Sequence, residues 1–169
     1  DNTQLDYLSK AKLSANTLLY IINDILDLSK IEAGQMQLEH IPFDIKTVLA
    51  DVNEQFFYIA QNKGIEFSVS YDGPRSLWVK GDPVRLLQIL INLCSNSIKF
   101  TEQGKVTLTC EATVEQSKAN LRLKISDTGI GMDAEALPLL FTKFTQLDNS
   151  ISRKFGGTGL GLSIVKGLI

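Results

Sequence analysis

The stretch from Arg85 to Thr101, RLLQILINLCSNSIKFT, predicts a largely buried helix that carries one narrow polar stripe. It contains neither Gly nor Pro, and Pro83 stands just ahead of it, where a helix can begin. At about 100° per residue, its apolar side chains cover most of the circumference, which is typical of a helix inside a core. These apolar residues are Leu86, Leu87, Ile89, Leu90, Ile91, Leu93, Cys94, Ile98 and Phe100.

The polar stripe of this helix consists of Gln88, Asn92, Ser95, Asn96 and Lys99. Asn92 and Asn96 lie one helical turn apart and therefore point the same way. Because an unpartnered buried amide costs about 1–3 kcal/mol, the stripe must face other polar groups, water or a ligand. Amide oxygens and a lysine suit a Mg²⁺-bound polyphosphate, since a carbonyl oxygen can join a Mg²⁺ shell and an ammonium can neutralise phosphate. Simple exposure to solvent is the alternative.

Composition describes an ordinary globular chain. Its 169 residues fit one domain plus an appendage, and 44% are hydrophobic and 21% charged. The net charge of -2 gives no reason to expect nucleic-acid binding, which usually shows as a basic face. No apolar run approaches the roughly 20 residues that span a membrane, and no signal peptide is evident. Cys94 and Cys110 lack metal-ligand spacing, which favours reduced structural thiols in a reducing compartment.

Residues from Leu5 to about Ile31 predict a long helix that ends at Gly34, a C-terminal cap. Its apolar residues alternate steps of three and four, as the a and d positions of a coiled coil do. We expect this seam to pack against a partner helix in a bundle; folding back onto the domain is the alternative. The seam residues are Leu8, Ala11, Ala15, Leu18, Ile22 and Ile25.

The remaining segments predict an α+β two-layer sandwich, because strands cluster with helices on a single side. A second helix is predicted from Phe43 to Asn62, with Asp44 as its N-cap. His40 lies in the preceding connector without a nearby acid, so we interpret it as a solvent-facing bystander. The predicted strands are Met36–His40, Glu66–Tyr71, Leu77–Lys80, Lys105–Thr113 and Asn120–Ser126, the last two forming an antiparallel hairpin.

Two glycine clusters follow. Asp127, Gly129 and Gly131 come directly after the last strand, where glycines let the backbone pass close to a ligand; a plain turn is the alternative. The run from Gly156 to Leu162 leads into an apolar helix, Ser163–Ile169, whose N-terminus offers N–H groups and a positive dipole end to phosphate. The stretch between the clusters, Asp133 to Gly156, is long enough to predict a lid.

Four ordered motifs resemble the sequence boxes of sensor histidine kinases. Asn92–Thr101 resembles the N box, Asp127-x-Gly129-x-Gly131 the first glycine box, Phe141-x-x-Phe144 the F box, and Gly157–Leu162 the second glycine box. Leu26–Gly34 is similar to the end of the second dimerisation helix, particularly in hybrid kinases. The resemblance covers nearly the whole chain. It implies a mixed, mainly antiparallel sheet in the ATP-binding fold, with residues 1–34 as part of a dimerisation bundle and 35–169 as the catalytic domain.

The resemblance also implies a role for each matching residue. Asp127 would accept a hydrogen bond from the adenine amino group, and Asn96 would coordinate Mg²⁺, with Asn92 and Lys99 near the phosphates. Arg153 or Lys154 in the lid would add charge beside the γ-phosphate. The full set of implied nucleotide-binding positions is Asn96, Lys99, Asp127, Gly129, Gly131, Phe144, Arg153, Gly157, Thr158, Gly159, Leu160 and Gly161.

The implied activity is transfer of the ATP γ-phosphate to a histidine on a dimerisation helix, for relay to the aspartate of a response regulator or receiver domain. The resemblance implies ATP and Mg²⁺, a homodimer, and a cytoplasmic location in a membrane-bound bacterial sensor. The histidine-acid box of the first dimerisation helix is not in the chain, and the chain stops inside the helix after the second glycine box. We therefore expect a fragment that does not phosphorylate itself.

Two other function classes stay open. ATPases of the gyrase, mismatch-repair and chaperone type carry a water-activating glutamate at the position matching Asn92, and an amide is a poor base in its place. A pseudokinase that binds nucleotide, or nothing, and acts through dimerisation is the third class.

Overall fold

The computed structural model describes residues 2–116, 118–142 and 159–169. The chain divides into two compact units, one made of Gln37–Pro138 and the other of Asp1–Met36 together with Leu139–Ile169. In chain order the elements are α1 (Asn2–Glu32), β1 (Ile41–Asp44), α2 (Ile45–Lys63), β2 (Glu66–Asp72), β3 (Trp78–Gly81), α3 (Pro83–Phe100), β4 (Lys105–Glu115), β5 (Lys118–Asp127), a 3₁₀ turn (Leu137–Leu139) and α4 (Gly161–Leu168).

The Gln37–Pro138 unit is an α+β sandwich with a mixed sheet, which confirms the predicted fold class. β2 pairs with β4 in parallel, β4 pairs with β5 as an antiparallel hairpin, and β1 and β3 form a small antiparallel sheet of their own. One face of the larger sheet packs on α2 and α3, whereas its other face carries hydroxyl pairs such as Ser68–Thr107, with the oxygens 3.3 Å apart. The buried core residues are Ile45, Val48, Leu49, Val52, Phe56, Ala60, Ile65, Phe67, Leu77, Leu90, Cys94, Ile98, Val106, Leu108, Cys110 and Ala112.

Helix α2 has both of its ends fixed by capping residues. The Asp44 side chain accepts a hydrogen bond from Lys46 N–H at 3.0 Å, which confirms the predicted N-cap. At the other end Gly64 adopts φ +77°, and the N–H groups of Gly64 and Ile65 bond back to Gln61 and Ala60, as in a Schellman motif. These caps place α2 directly before β2.

Two predictions near this helix were wrong. Phe43 is not helical, because it lies in β1 opposite Val79 and packs on the core. No strand forms over Met36–His40. There the backbone N–H of Glu39 donates to the Asp82 carboxylate at 3.1 Å instead of to a strand partner. His40 is exposed, in agreement with its interpretation as a bystander.

In the second unit, α1 and α4 pack against each other. Gly34, with φ +63°, caps the C-terminus of α1, as predicted. Leu28 from α1 is buried with Leu160 and Ile164, and a Cβ on Gly167 would lie only 2.6 Å from Ile31 Cγ2. Gly167 therefore permits the close approach of the two helices.

The predicted seam of α1 is open to solvent. Leu8, Leu18, Ile22 and Ile25 are between 44% and 66% exposed. The interpretation of residues 1–34 as part of a dimerisation bundle thus stays a prediction. Among the helices that the structure describes, none has a stretch both long and apolar enough to cross a membrane.

Candidate functional site

Helix α3 is buried along one face only. It begins with Pro83 in its first turn and with Asp82 as N-cap, whose carboxylate accepts from Arg85 N–H at 2.9 Å. Leu90, Cys94 and Ile98 are buried at intervals of one turn, and most of the other helix residues are half-buried. The prediction of a largely buried helix is therefore correct for the core face and wrong for the flanks. Because the sides of α3 next to the core face are only half-buried, polar side chains can lie there in contact with water or a ligand.

The stripe residues have the accessibility that a ligand-binding surface needs. Asn92, Asn96 and Lys99 are half-buried and Ser95 is exposed. Burial lowers the pKa of the Lys99 ammonium, and its Nζ lies 5.0 Å from the centre of the Phe100 ring. Because a neighbouring anion favours the charged form of a lysine, a phosphate beside Lys99 would oppose this shift.

The loop after β5 is held against the end of α3. Asp127 is exposed at the strand end, and its Oδ1 accepts from Gly129 N–H at 3.0 Å. A Cβ on Gly129 would lie 2.6 Å from the carbonyl oxygen of Phe100, and Ile130 N–H donates to that same oxygen at 3.3 Å. The structure therefore brings the first glycine cluster and the C-terminal turn of α3 together, and Gly129 is required by this close contact.

Thr128 joins this loop to the turn that follows α3. Its Oγ1 accepts from Lys105 N–H at 3.0 Å, and its own N–H donates to the Lys105 carbonyl at 3.1 Å. Gly104 has φ +107°, and a side chain there would collide with Thr128 Oγ1. The alternative of a plain turn at Asp127 accounts for the Gly129 hydrogen bond but not for these contacts across the chain.

One residue of this region was missed by the sequence reasoning. The Lys63 ammonium, at the end of α2, donates to the carbonyl oxygens of Ile98 and Lys99, the latter at 2.9 Å. The only signal in the sequence is a lysine in the last turn of a helix, which by itself predicts no partner in α3.

The second glycine cluster belongs to the other unit and is described in part. Gly159 has φ +70°, Leu160 is 1% exposed, and α4 begins at Gly161, two residues earlier than predicted. Leu160 makes no side-chain cap hydrogen bond to this helix. The first-turn N–H groups of such a helix suit an anion. Phe144, Arg153, Lys154, Gly157, Thr158 and residues 143–158 of the predicted lid lie outside the described residues.

The amide groups of the α3 stripe are compatible with a Mg²⁺ ion that is bound mainly by the phosphates of a nucleotide. Across the described ranges, no group of three or more His, Cys, Asp or Glu side chains could hold a metal ion. Mg²⁺ in proteins retains several waters and binds phosphate oxygens readily, so an amide oxygen of the polar stripe is a chemically suitable protein ligand for it.

Comparison with known proteins agrees with these features. Residues 81–169 match the family model described as histidine kinase-, DNA gyrase B- and HSP90-like ATPase. Over 171 residues the chain is 48% identical to the sensor protein GacS of Pseudomonas syringae pv. syringae, covering 98% of this chain and 18% of GacS. Over 168 residues it is 45% identical to hybrid signal transduction histidine kinase L of Dictyostelium discoideum, covering 98% of this chain and 10% of that protein.

The fold agrees as well. The crystal structure of full-length ShkA in complex with AMPPNP is similar, with a TM-score of 0.76 and 34% identity over 96% of this chain and 33% of that one. The chain thus spans 18% of GacS and 10% of kinase L, a small part of these curated relatives.

Proposed function

The chain belongs to the histidine kinase-, DNA gyrase B- and HSP90-like ATPase family, and from this premise we propose that it is the catalytic ATP-binding domain of a hybrid sensor histidine kinase. The observation that carries the proposal is the contact between the polar end of α3 and the Asp127–Gly131 loop. The named relatives are kinases, and Asn92 replaces the glutamate expected of a water-activating ATPase, so phosphoryl transfer is favoured over hydrolysis.

The reaction is transfer of the ATP γ-phosphate to a histidine imidazole on a dimerisation helix, followed by relay to an aspartate of a receiver domain or response regulator. The domain contributes positioning and charge neutralisation, because phosphoryl transfer needs little covalent chemistry from the protein. The partners are the dimerisation helix with its histidine, a second copy of the protein, and the receiver domain, in the cytoplasm.

Asp127 orients the base of the nucleotide. Its Oδ1 is engaged by Gly129 N–H, and its second carboxylate oxygen is an acceptor for the exocyclic amine of adenine. Guanine presents a carbonyl oxygen at that position, which a carboxylate repels. Gly129 and Gly131 keep the loop backbone close to the base.

Asn96, Asn92 and Lys99 serve the phosphate end. The amide oxygen of Asn96 is the proposed Mg²⁺ ligand, and bound Mg²⁺ would neutralise charge on the phosphates. Asn92 lies one turn earlier on the same face and hydrogen-bonds a phosphate oxygen or a bound water. Lys99 supplies a compensating positive charge.

The turn before α4 has a role of its own. Gly159, Leu160 and Gly161 are proposed to hold phosphate oxygens through backbone N–H groups at a helix N-terminus. From the motif pattern alone, Thr158 is proposed to bind phosphate in the same way, and Arg153 or Lys154 to add charge beside the γ-phosphate. Gly157 and Phe144 belong to the same proposed nucleotide-binding set.

The test is nucleotide titration followed by transfer. We expect the chain to bind ATP and ADP more tightly than GTP, to bind them better with Mg²⁺, and to phosphorylate a supplied dimerisation helix that carries a histidine.

Asp127→Asn should weaken adenine preference while retaining the Gly129 hydrogen bond, since the amide oxygen still accepts. Asn96→Ala should reduce the Mg²⁺ dependence. Equal affinity for GTP, or a Mg²⁺ dependence that survives Asn96→Ala, would contradict the assignment. Binding without any transfer would favour the pseudokinase.

A further inference from the structure

The last turn of α3 is tied down by three separate parts of the chain. The final carbonyl groups of a helix lack intrahelical partners and need others. Thr101 supplies its N–H at 3.1 Å and its Oγ1 at 2.8 Å to the carbonyl of Ser97. Lys63 donates to the next two carbonyls, and Ile130 from the glycine loop donates to the carbonyl of Phe100.

The contact from Lys63 is the one that brings charge. A cation at a helix C-terminus interacts favourably with the helix dipole, and hydrogen bonds from a charged donor are stronger than neutral ones. Lys63 ends α2, whose following residue Gly64 fixes the chain direction through its left-handed conformation. The Lys63 ammonium therefore belongs to a helix end whose backbone conformation is fixed by a cap.

We propose that Lys63 is a positioning residue for the nucleotide site. It does not touch nucleotide. It fixes the last turn of α3, which comes directly after Asn96 and carries Lys99. The same turn directs the Phe100 carbonyl at the glycine loop. This inference rests on the proposed function and adds to it a residue outside the recognisable motifs. Without the ammonium, the carbonyls of Ile98 and Lys99 bond to water instead. The last turn of α3 then becomes more mobile where it contacts the glycine loop.

The experiment compares Lys63→Met with Lys63→Arg and Lys63→Gln. Met keeps the length and apolar stem but no donor, Arg keeps a charged donor, and Gln keeps a neutral one. Lys46→Met is the matched control, because Lys46 also donates to a backbone carbonyl, that of Arg75 at 2.7 Å, but at the start of α2 and outside the candidate site. Melting curves show which variants fold.

Two readouts separate positioning from plain stability. The first is amide exchange without nucleotide: Ile130 and Thr101 should exchange faster in Lys63→Met than in wild type, and Lys46→Met should leave them unchanged. The second is affinity for ADP with and without Mg²⁺. The gain in affinity on adding Mg²⁺ should fall by about tenfold in Lys63→Met, as is typical when a residue that orients a metal ligand without binding the metal is replaced. Lys63→Arg should restore it, with Lys63→Gln between them.

The outcomes discriminate between the two claims. If wild type binds ADP and Lys63→Met shows the same Mg²⁺ gain, or if the same loss occurs in Lys46→Met, the positioning role is overturned while the nucleotide function stands. If Lys63→Met does not fold, Lys63→Gln decides by the same criteria. If wild type itself binds no adenine nucleotide, the proposed function fails, and the positioning role fails with it.

Discussion

At the scale of single residues, Gly129 is a tightly constrained position of the candidate site. Any side chain there would meet the Phe100 carbonyl oxygen at 2.6 Å and Asp127 Oδ1 at 2.9 Å. Both groups belong to the candidate site: the first lies at the end of α3, and the second is part of the carboxylate proposed to bind the base. We therefore expect Gly129→Ala to move the loop away from the helix and to weaken ADP binding by tenfold or more, about 1.4 kcal/mol, as titration would measure.

Gly73→Ala is the matched control for this substitution. A Cβ at Gly73 would lie 2.8 Å from Ala112 Cβ and 2.8 Å from the Tyr71 hydroxyl, so it also clashes, but in the turn between β2 and β3. Both variants should lose thermal stability, and only Gly129→Ala should lose affinity in the folded fraction. Equal affinities in the two variants would show that the Gly129 contact is structural alone.

Burial makes a second residue-scale prediction, for Cys94. The side chain is fully buried in α3, and desolvation raises the pKa of its thiol to about 12. The thiolate is the reactive form, so Cys94 should resist alkylation in the native protein at pH 8 and react once urea unfolds the chain. Mass spectrometry of labelled peptides would measure this, and rapid native labelling would show that α3 opens on its own.

At the scale of elements, Asp82 fixes the start of α3 just as Lys63 fixes its end. One carboxylate oxygen accepts from Arg85 N–H at 2.9 Å and the other from Glu39 N–H at 3.1 Å. Burial by itself would raise the pKa of Asp82, but hydrogen bonds from backbone N–H groups, together with the nearby Arg85 charge, lower the pKa below its ordinary value of 3.8. The charged carboxylate is therefore the form that stabilises the fold.

The sign of the pH dependence follows. A carboxyl with a lowered pKa in the folded state stabilises the fold above its unfolded pKa, near 3.8 here, and loses that contribution as pH falls through the folded value. Asp82→Ala should cost about 0.5–2 kcal/mol at pH 7, the usual value of an N-cap. The difference from wild type should shrink below pH 3.8 in urea unfolding. Asp51→Ala, which removes an exposed carboxylate of α2, is the control and should cost less at pH 7.

Helix caps, a hairpin and contacts between distant segments illustrate what sequence alone can predict about elements. The Asp44 cap, the Gly34 cap and the β4–β5 hairpin were predictable because each depends on residues close in the chain. Phe43 was wrongly placed in a helix because its conformation is set by pairing with β3, which lies more than 30 residues further along the chain. Lys63 was missed for the same reason, since its acceptors lie in another helix. The candidate residues of α3 and of the glycine loop came from motifs in the sequence, and their roles stay predictions. The Phe100 carbonyl that joins the two elements has no signature in side-chain chemistry.

At the scale of the whole molecule, the fit between α1 and α4 depends on one small residue. Gly167→Ala would press a methyl group against Ile31, whose Cγ2 would lie 2.6 Å away. Overpacking of this kind costs typically about 1–3 kcal/mol. We expect faster amide exchange in α4 and little change in the β4–β5 hairpin, which belongs to the other unit.

A double-mutant cycle checks that the cost arises from this contact. Ile31→Ala removes the branched side chain, so Gly167→Ala should cost less in that background than in wild type. Additive costs would mean that the alanine acts through the backbone of α4 and not through Ile31.

The division of the chain into units also sets an order of events during synthesis. Gln37–Pro138 is one continuous run, so its residues are all available to fold as soon as they leave the ribosome. Leu28 is made early, whereas Leu160 and Ile164, which cover it, are made near the end of this sequence. At about 5–20 residues per second, Leu28 waits on the order of ten seconds for them. During that interval Leu28 stays uncovered on the nascent α1, where a chaperone that recognises apolar residues can bind it.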